Sequence, residues 1–227
     1  QTCALPICSD YQSVSGSLDF APGEPLTQTI SITGIGDLLD EPDESFVVNL
    51  TSPTNASLAN PQGVGTITDD DAPPQISIGN ASVTEGDAGT VTMDFTVSLD
   101  APSGRQVSVD YSSSDGSATE GVDYDATLGT LTFAAGETSK TISVVVNGDN
   151  IDEGAAEDFS ITLENEVNAA LGTATGVGTI VDDEGRPALS LDDVTISEGD
   201  SGSTVATFTV TLSFGSASEV TVDYATA

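Results

Sequence analysis

The chain has 227 residues, 37 of them acidic and only three basic (Arg105, Lys140 and Arg186), with no histidine and no tryptophan. A polyanion of formal charge -34 is repelled by phosphate backbones and anionic lipid, which argues against nucleic acid or such a membrane surface as a partner. The lack of histidine removes the commonest general base and transition-metal ligand, and no apolar run approaches the roughly 20 residues needed to span a bilayer.

Valine, isoleucine and threonine are frequent, glycine occurs 23 times, and no stretch sustains a helical apolar period, so the chain reads as all-β. The opening octapeptide QTCALPIC holds both cysteines, Cys3 and Cys8. Without a second pair a zinc site is disfavoured, and a local disulfide stays open. Beginning at Gln1 and stopping within the strand pattern VTVDYATA, the chain reads as an internal fragment.

From Ser9 onward the sequence repeats itself with a spacing of 113 residues (Gly65 to Gly178). GTITDDD at Gly65 returns as GTIVDDE at Gly178, VTEGD at Val83 as ISEGD at Ile196, and GSLDFAPGE at Gly16 as GTLTFAAGE at Gly129. A period of about 100 residues with about seven strands is the size of one β-sandwich. Residues 1–72 are then the C-terminal part of one unit, 75–185 a complete unit, and 186–227 the N-terminal part of a third. Residues 1–8 do not fit the repeat and read as foreign to it. The linkers Asp71 to Pro74 and Glu184 to Pro187 are short and contain proline, so adjacent units are expected end to end with restricted bending.

Within the complete unit, strands are expected over 75–79 running on through Val83, then 90–99, 106–111, 128–133, 141–146, 159–164 and 175–181. Clean alternation, as in Val91, Met93, Phe95, Val97 and Leu99, puts one face of each strand against a core. Seven such strands with turns between them predict two packed antiparallel sheets.

In that arrangement odd-numbered strands end at one pole. Glu85 lies in the turn after the first strand, Asp123 follows the third, Asp149 and Glu153 follow the fifth, and Asp182 follows the seventh. Acids from four separated segments should therefore converge at one end, with the acid-poor turns at Ala101, Ala134 and 165–171 at the other. Single acids in surface loops are usually only solvated, and a halophilic coat would spread them evenly; here they recur in short clusters on a fixed period. Carboxylate-rich loops without histidine suit calcium, which takes six to eight oxygens, better than magnesium, zinc or copper. Crowded carboxylates without a cation repel one another, so the loops are expected to order with calcium.

The succession V-T-E-G-D, D-Y, G-x-D-Y, G-T-L-x-F-x-x-G-E, G-D-x-x-x-E and G-T-I-x-D-D-D/E resembles the Calx-beta domain, from about Ser9 to the end of the chain. The resemblance implies immunoglobulin-like sandwiches in tandem, one complete and two partial, that bind Ca2+ at their distal loops. Matched motif by motif, it implies as ligands Glu85, Asp123, Asp149, Glu153, Glu157, Asp182, Asp183 and Glu184 in the complete unit. In the first part the matching positions are Asp10, Asp37, Glu41, Glu44, Asp69, Asp70 and Asp71, and in the third Glu198. The chain departs from the pattern at Gly148, where exchanger domains tend to carry a further acid, and has one more residue between Asp149 and Glu157 than between Asp37 and Glu44.

The expected function is a non-catalytic, calcium-rigidified repeat of an extracellular adhesin or surface protein. Its expected partners are calcium ions and neighbouring repeats, with another cell-surface protein or a glycan as further candidates. The alternatives are a calcium-sensing module of a membrane transporter and an ion-free acidic spacer. A glycosidase built on paired carboxylates is disfavoured by the absence of tryptophan and the 5% aromatic content.

Overall fold

The computed structural model describes residues 10–227 except Ala155; the octapeptide and its two cysteines lie outside the described residues. Fifteen strands follow in chain order, and no helix occurs among the described residues: β1 (Glu44–Asn49), β2 (Gln62–Ile67), β3 (Gln75–Ile78), β4 (Ala81–Thr84), β5 (Gly89–Leu99), β6 (Val107–Asp115), β7 (Leu128–Phe133), β8 (Ser139–Gly148), β9 (Ile151–Asp152), β10 (Glu157–Val167), β11 (Ala170–Leu171), β12 (Thr175–Val181), β13 (Leu189–Leu191), β14 (Val210–Leu212) and β15 (Gly215–Ser216).

Residues 75–181 build a sandwich of a four-stranded sheet, β11-β3-β5-β8, and a five-stranded sheet, β4-β12-β10-β6-β7. The alternation read from the sequence is realised along β5: Met93, Phe95, Val97 and Leu99 are buried while Thr92, Asp94 and Thr96 face outward. Phe95 pairs with Ile142 of β8. Across the core its ring meets Phe159 of β10 edge-on at 5.8 Å, and Tyr124 stacks flat on Phe159 at 4.3 Å. Gly178 of β12 lies against both phenylalanine rings; a Cβ there would sit 2.7 Å from Phe159 and 2.8 Å from Phe95. This aromatic centre joins strands from both sheets.

Three features depart from the sequence reading. The first expected strand is two: Gly79 and Asn80 break it, so β3 pairs with β5 in one sheet and β4 with β12 in the other. Both halves also make parallel pairings, β3 with β11 and β4 with β12, so the sheets are not wholly antiparallel. Third, β6 runs on to Asp115, because Ser112 to Asp115 keep pairing with Phe159 to Thr162 of β10.

The outer parts are sparser. In the first, β1 and β2 form an antiparallel pair, and Tyr11 bridges to Gly34. In the last, β13 pairs with β14 and β15 pairs with β9 of the sandwich. Among the described residues no second sheet faces either pair, and Leu26, Leu38, Val205 and Tyr224 remain exposed. The GSLDF and VTVDY stretches are apolar enough for strands but lie outside sheets, since a strand requires a paired neighbour.

Candidate metal centre

The strand directions gather the acids as counted. β4, β6, β8 and β12 all run toward one pole, where Glu85, the 116–127 loop, residues 149–154 and Asp182 to Glu184 meet. Two groups of three carboxylates form there, each with ligand oxygens within 4.8 Å of one another: Glu85, Asp182 and Glu184, and Asp123, Glu153 and Glu157. Glu85 and Asp123 are only 7% exposed, so these are not merely solvated loop acids.

Local hydrogen bonds hold the loops in place. One Asp123 oxygen accepts the Thr119 amide at 2.7 Å, closing the tight turn in which Gly121 has a φ of 77°. The Asp123 backbone is tied to β8, because the Asn147 amide donates to its carbonyl at 2.9 Å. Beneath it the Tyr124 hydroxyl donates to Asp115 at 2.7 Å; burial, and then that bond, push the phenol up to about 12. An Asp149 oxygen accepts the Ile151 amide at 2.7 Å, an Asx turn that starts the 149–154 loop. Asp182 accepts the Gly154 amide at 3.0 Å and the Glu184 amide at 3.2 Å, which binds the end of β12 to that same loop.

The electrostatics are those of anions crowded without a counter-charge. Burial first, and then Glu153, Asp149, Glu184 and Asp182, push Glu85 up to about 8. Burial and the Asp123 carboxylate push Glu157 up to about 7. Glu153 and Glu184 are raised as well, burial again being the largest cause. Among the described residues, Glu157 Oε2 and both Glu184 carboxylate oxygens are buried without an N–H or alcohol donor. Their neighbours are other carboxyls, Asp123 and Asp182, which bond them only when one of the pair holds a proton. Among the described residues both arginine ion pairs involve Arg105, at the opposite end of the sandwich, and Lys140 pairs with Glu137.

The first part of the chain carries a smaller version. Asp10, Asp37 and Glu41 form one triad. Glu44 is raised by a hydrogen bond with Asp10, and Asp71 by burial and then Asp70. Asp37 accepts the Leu39 amide at 2.8 Å, the counterpart of the Asp149 turn. Asp69 and Asp70 line the same small hollow as Asp71.

The sequence profile of the Calx-beta domain matches residues 7–72 and 69–184. This chain belongs to the Calx-beta family. Its sandwich is accordingly an immunoglobulin-like Calx-beta fold. Among solved structures, the chain is similar to the apo-form Calx CBD1 domain at 24% identity and a TM-score of 0.43, over 49% of this chain and 99% of that one. It is also similar to CBD12 from CALX1.2, at 24% identity and a TM-score of 0.45 over 52% and 49% of the two chains, so it spans about half of that structure. A third is the calcium binding domain CBD12 of CALX1.1, at 24% identity and a TM-score of 0.44 over 48% and 45%. No curated protein sequence matches.

Within this Calx-beta sandwich, seven of the eight residues singled out from the sequence lie in or against the two triads. Asp183 is turned aside: its carboxylate accepts the Gly86 amide at 2.9 Å and pins the β4–β5 turn to β12. Glu198 belongs to no carboxylate triad among the described residues. The glycine at 148 has a steric reason, since a Cβ there would lie 2.2 Å from the Gly86 carbonyl oxygen. An acid cannot occupy this position without moving the turn that carries Glu85. Two supporting acids escaped the sequence reading. Asp115 was legible only as part of an Asp-Gly turn, yet it also accepts the Glu120 amide at 3.0 Å. Asp158 sits in the acidic run but accepts the Ser117 amide and hydroxyl, which lower its carboxyl.

Proposed function

We infer that the chain is a non-catalytic, calcium-binding tandem repeat module whose acidic poles take Ca2+ and stiffen the array. The observation that carries this reading is the pair of carboxylate triads at one pole of the sandwich, with Glu85 and Asp123 buried and, among the described residues, no basic side chain paired to them. An all-oxygen donor set suits a hard cation. Glu85, Asp149, Asp182 and Glu184 would hold one ion, and Asp123, Glu153 and Glu157 a second. In the first part, Asp10, Asp37, Glu41 and Glu44, with Asp69 to Asp71 beside them, form a further candidate set. A bound divalent ion supplies the counter-charge that these loops lack, favouring the ionised carboxylates and holding the four segments together.

The tandem spacing and the proline linkers support a role in an extended extracellular surface protein, with neighbouring repeats as the constant partners. Regulation of an attached transporter is the runner-up, distinguished by what lies beside this segment in the full protein.

Thermal unfolding of the whole chain in EDTA, and then across a calcium titration with magnesium as control, tests the ion. Calcium at a hundredfold excess over Kd is expected to stabilise the folded state by about 2.7 kcal/mol, with magnesium much weaker. No shift at millimolar calcium would leave an acidic spacer that keeps the fold without the ion.

A further inference from the structure

The acidic pole of the first part abuts the 101–106 turn of the sandwich, and the acidic pole of the sandwich abuts the equivalent turn of the last part. Both junctions use one clasp. At the first, the Gly104 amide donates to the Asp40 carbonyl at 2.9 Å, and the Ser103 hydroxyl reaches the same carbonyl at 3.3 Å. The Arg105 amide folds back onto the Ser103 oxygen at 3.0 Å. At the second, the Ala217 amide donates to the Asp152 carbonyl at 2.9 Å, the Ser216 hydroxyl approaches it at 3.4 Å, and the Ser218 amide returns to the Ser216 oxygen at 3.2 Å. Ser103, Gly104 and Arg105 stand one repeat before Ser216, Ala217 and Ser218.

The clasps differ in the side chain that follows them. Arg105 reaches into the first pole: its Nε lies 3.3 Å from Asp40 and one terminal nitrogen 3.7 Å from Asp69, and it donates to the Glu41 carbonyl. Asp40 is 7% exposed and also accepts the Ser103 hydroxyl at 3.2 Å. A lone surface ion pair contributes little, but here a planar guanidinium spans two carboxylates and a carbonyl, one carboxylate being buried. At the second junction the equivalents of Asp40 and Asp69 are Asp152 and Asp182. Ser218 stands where Arg105 would, and a cleft of about 920 Å³ opens, lined by Asp152, Asp182, Glu184 and Ser218 among others. Arg186 also lines this cleft, but it forms no ion pair with the described carboxylates.

We propose that Arg105 is the resident cation of the first junction, fixing its geometry whether or not the pole beside it holds an ion, whereas the second junction, with Ser218, is the one whose geometry depends on a bound divalent cation. The first half stands on the clasp alone; the second rests on the calcium reading above.

The test uses the whole chain with Cys3 and Cys8 replaced by serine and spin labels across each junction, at Thr66 and Ser139 for the first and Thr92 and Thr211 for the second. In EDTA the first pair should give a narrow distance distribution and the second a broad one, and calcium should narrow only the second. Arg105→Ser should abolish the narrow first distribution in EDTA, Arg105→Lys should retain part of it, and Ser218→Arg should narrow the second without calcium. Circular dichroism separates loosening from unfolding; if Arg105→Ser unfolds the chain, Arg105→Lys and 1 M salt replace it, both expected to broaden the first distribution. An unchanged first distribution in the folded Arg105 variants overturns the proposal, as do two junctions that respond equally to calcium. A parallel calorimetric titration keeps the readings apart. Loosening in the Arg105 variants without calcium uptake removes the ion and leaves the Arg105 clasp; calcium uptake without loosening does the reverse.

Discussion

The poles of the first part and of the sandwich are built from the same loop sequence in different settings. Tyr11 stacks on Phe46 at 4.6 Å as Tyr124 stacks on Phe159, and Gly65 lies under Phe46 as Gly178 lies under Phe159. The Asp37 and Asp149 turns close on the second amide beyond them in both. The aromatic stack and the acidic loop therefore form as a local unit, even though Phe46 remains half-buried where Phe159 is enclosed. The sandwich adds a second triad, because β4 and β12 lie side by side and bring Glu85 against Asp182 and Glu184. Half of the acidic pole is locally encoded, and half depends on strands far apart in sequence.

The largest expected effect breaks the sandwich side of this comparison. Phe159→Ala removes the ring that Tyr124, Phe95 and Gly178 enclose and should cost about 3–5 kcal/mol in chemical denaturation. Phe46→Ala, in its more open setting, should cost clearly less; an equal loss would show that the first part is as tightly packed.

Next is the triad that only the sandwich possesses. Glu85→Gln should remove most of the calcium-induced rise in melting temperature, on the order of 2–3 kcal/mol when the ion is in large excess over Kd. In EDTA the same change should raise stability, because it deletes a buried carboxylate surrounded by like charge. A variant that melts lower than wild type in EDTA would mean that Glu85 serves packing and not an ion.

The pH dependence follows from the raised carboxyls. Glu85 at about 8 and Glu157 at about 7 bind protons more tightly in the folded chain than at their ordinary value of 4.5. Their contribution to stability is full below about pH 4.5 and is lost as pH rises through 7 to 8. In EDTA the urea midpoint should therefore fall between pH 5 and 8.5, and saturating calcium, which favours the ionised forms, should flatten or reverse the trend. Asp158 runs the other way: its carboxyl is lowered by Ser117, so its contribution is lost on acidification.

The smallest effect concerns the support beneath Asp123. Tyr124→Phe keeps the stack on Phe159 and loses the bond to Asp115, costing about 1 kcal/mol in thermal unfolding, with a modest weakening of calcium uptake as the 116–127 loop loosens. Tyr11→Phe, whose hydroxyl has no such bond among the described residues, should cost less.

The sequence by itself determined that the chain is all-β, that it repeats, and that acids collect at one pole, because period-two alternation sets strand faces and strand parity sets which end each loop occupies. Strand parity also reached Glu85, Asp123, Glu153 and Asp182 of the two triads, whereas Glu157 and Glu184 came only with the match to the Calx-beta motifs. Tertiary structure decided which acids converge and which turn away. Asp183 and Asp158 look like their neighbours in sequence, but each is claimed by a backbone amide across the fold. Gly148 could be read as a missing ligand until the Gly86 carbonyl beside it appeared. The split of the first strand between the two sheets, which sets Glu85 against Asp182, required knowing that β4 lies beside β12. Arg105 was only one of three scattered cations until the clasp placed it among Asp40, Glu41 and Asp69. Local alternation is written in consecutive residues; partnership between charges about a hundred residues apart is settled only when the sheets pack.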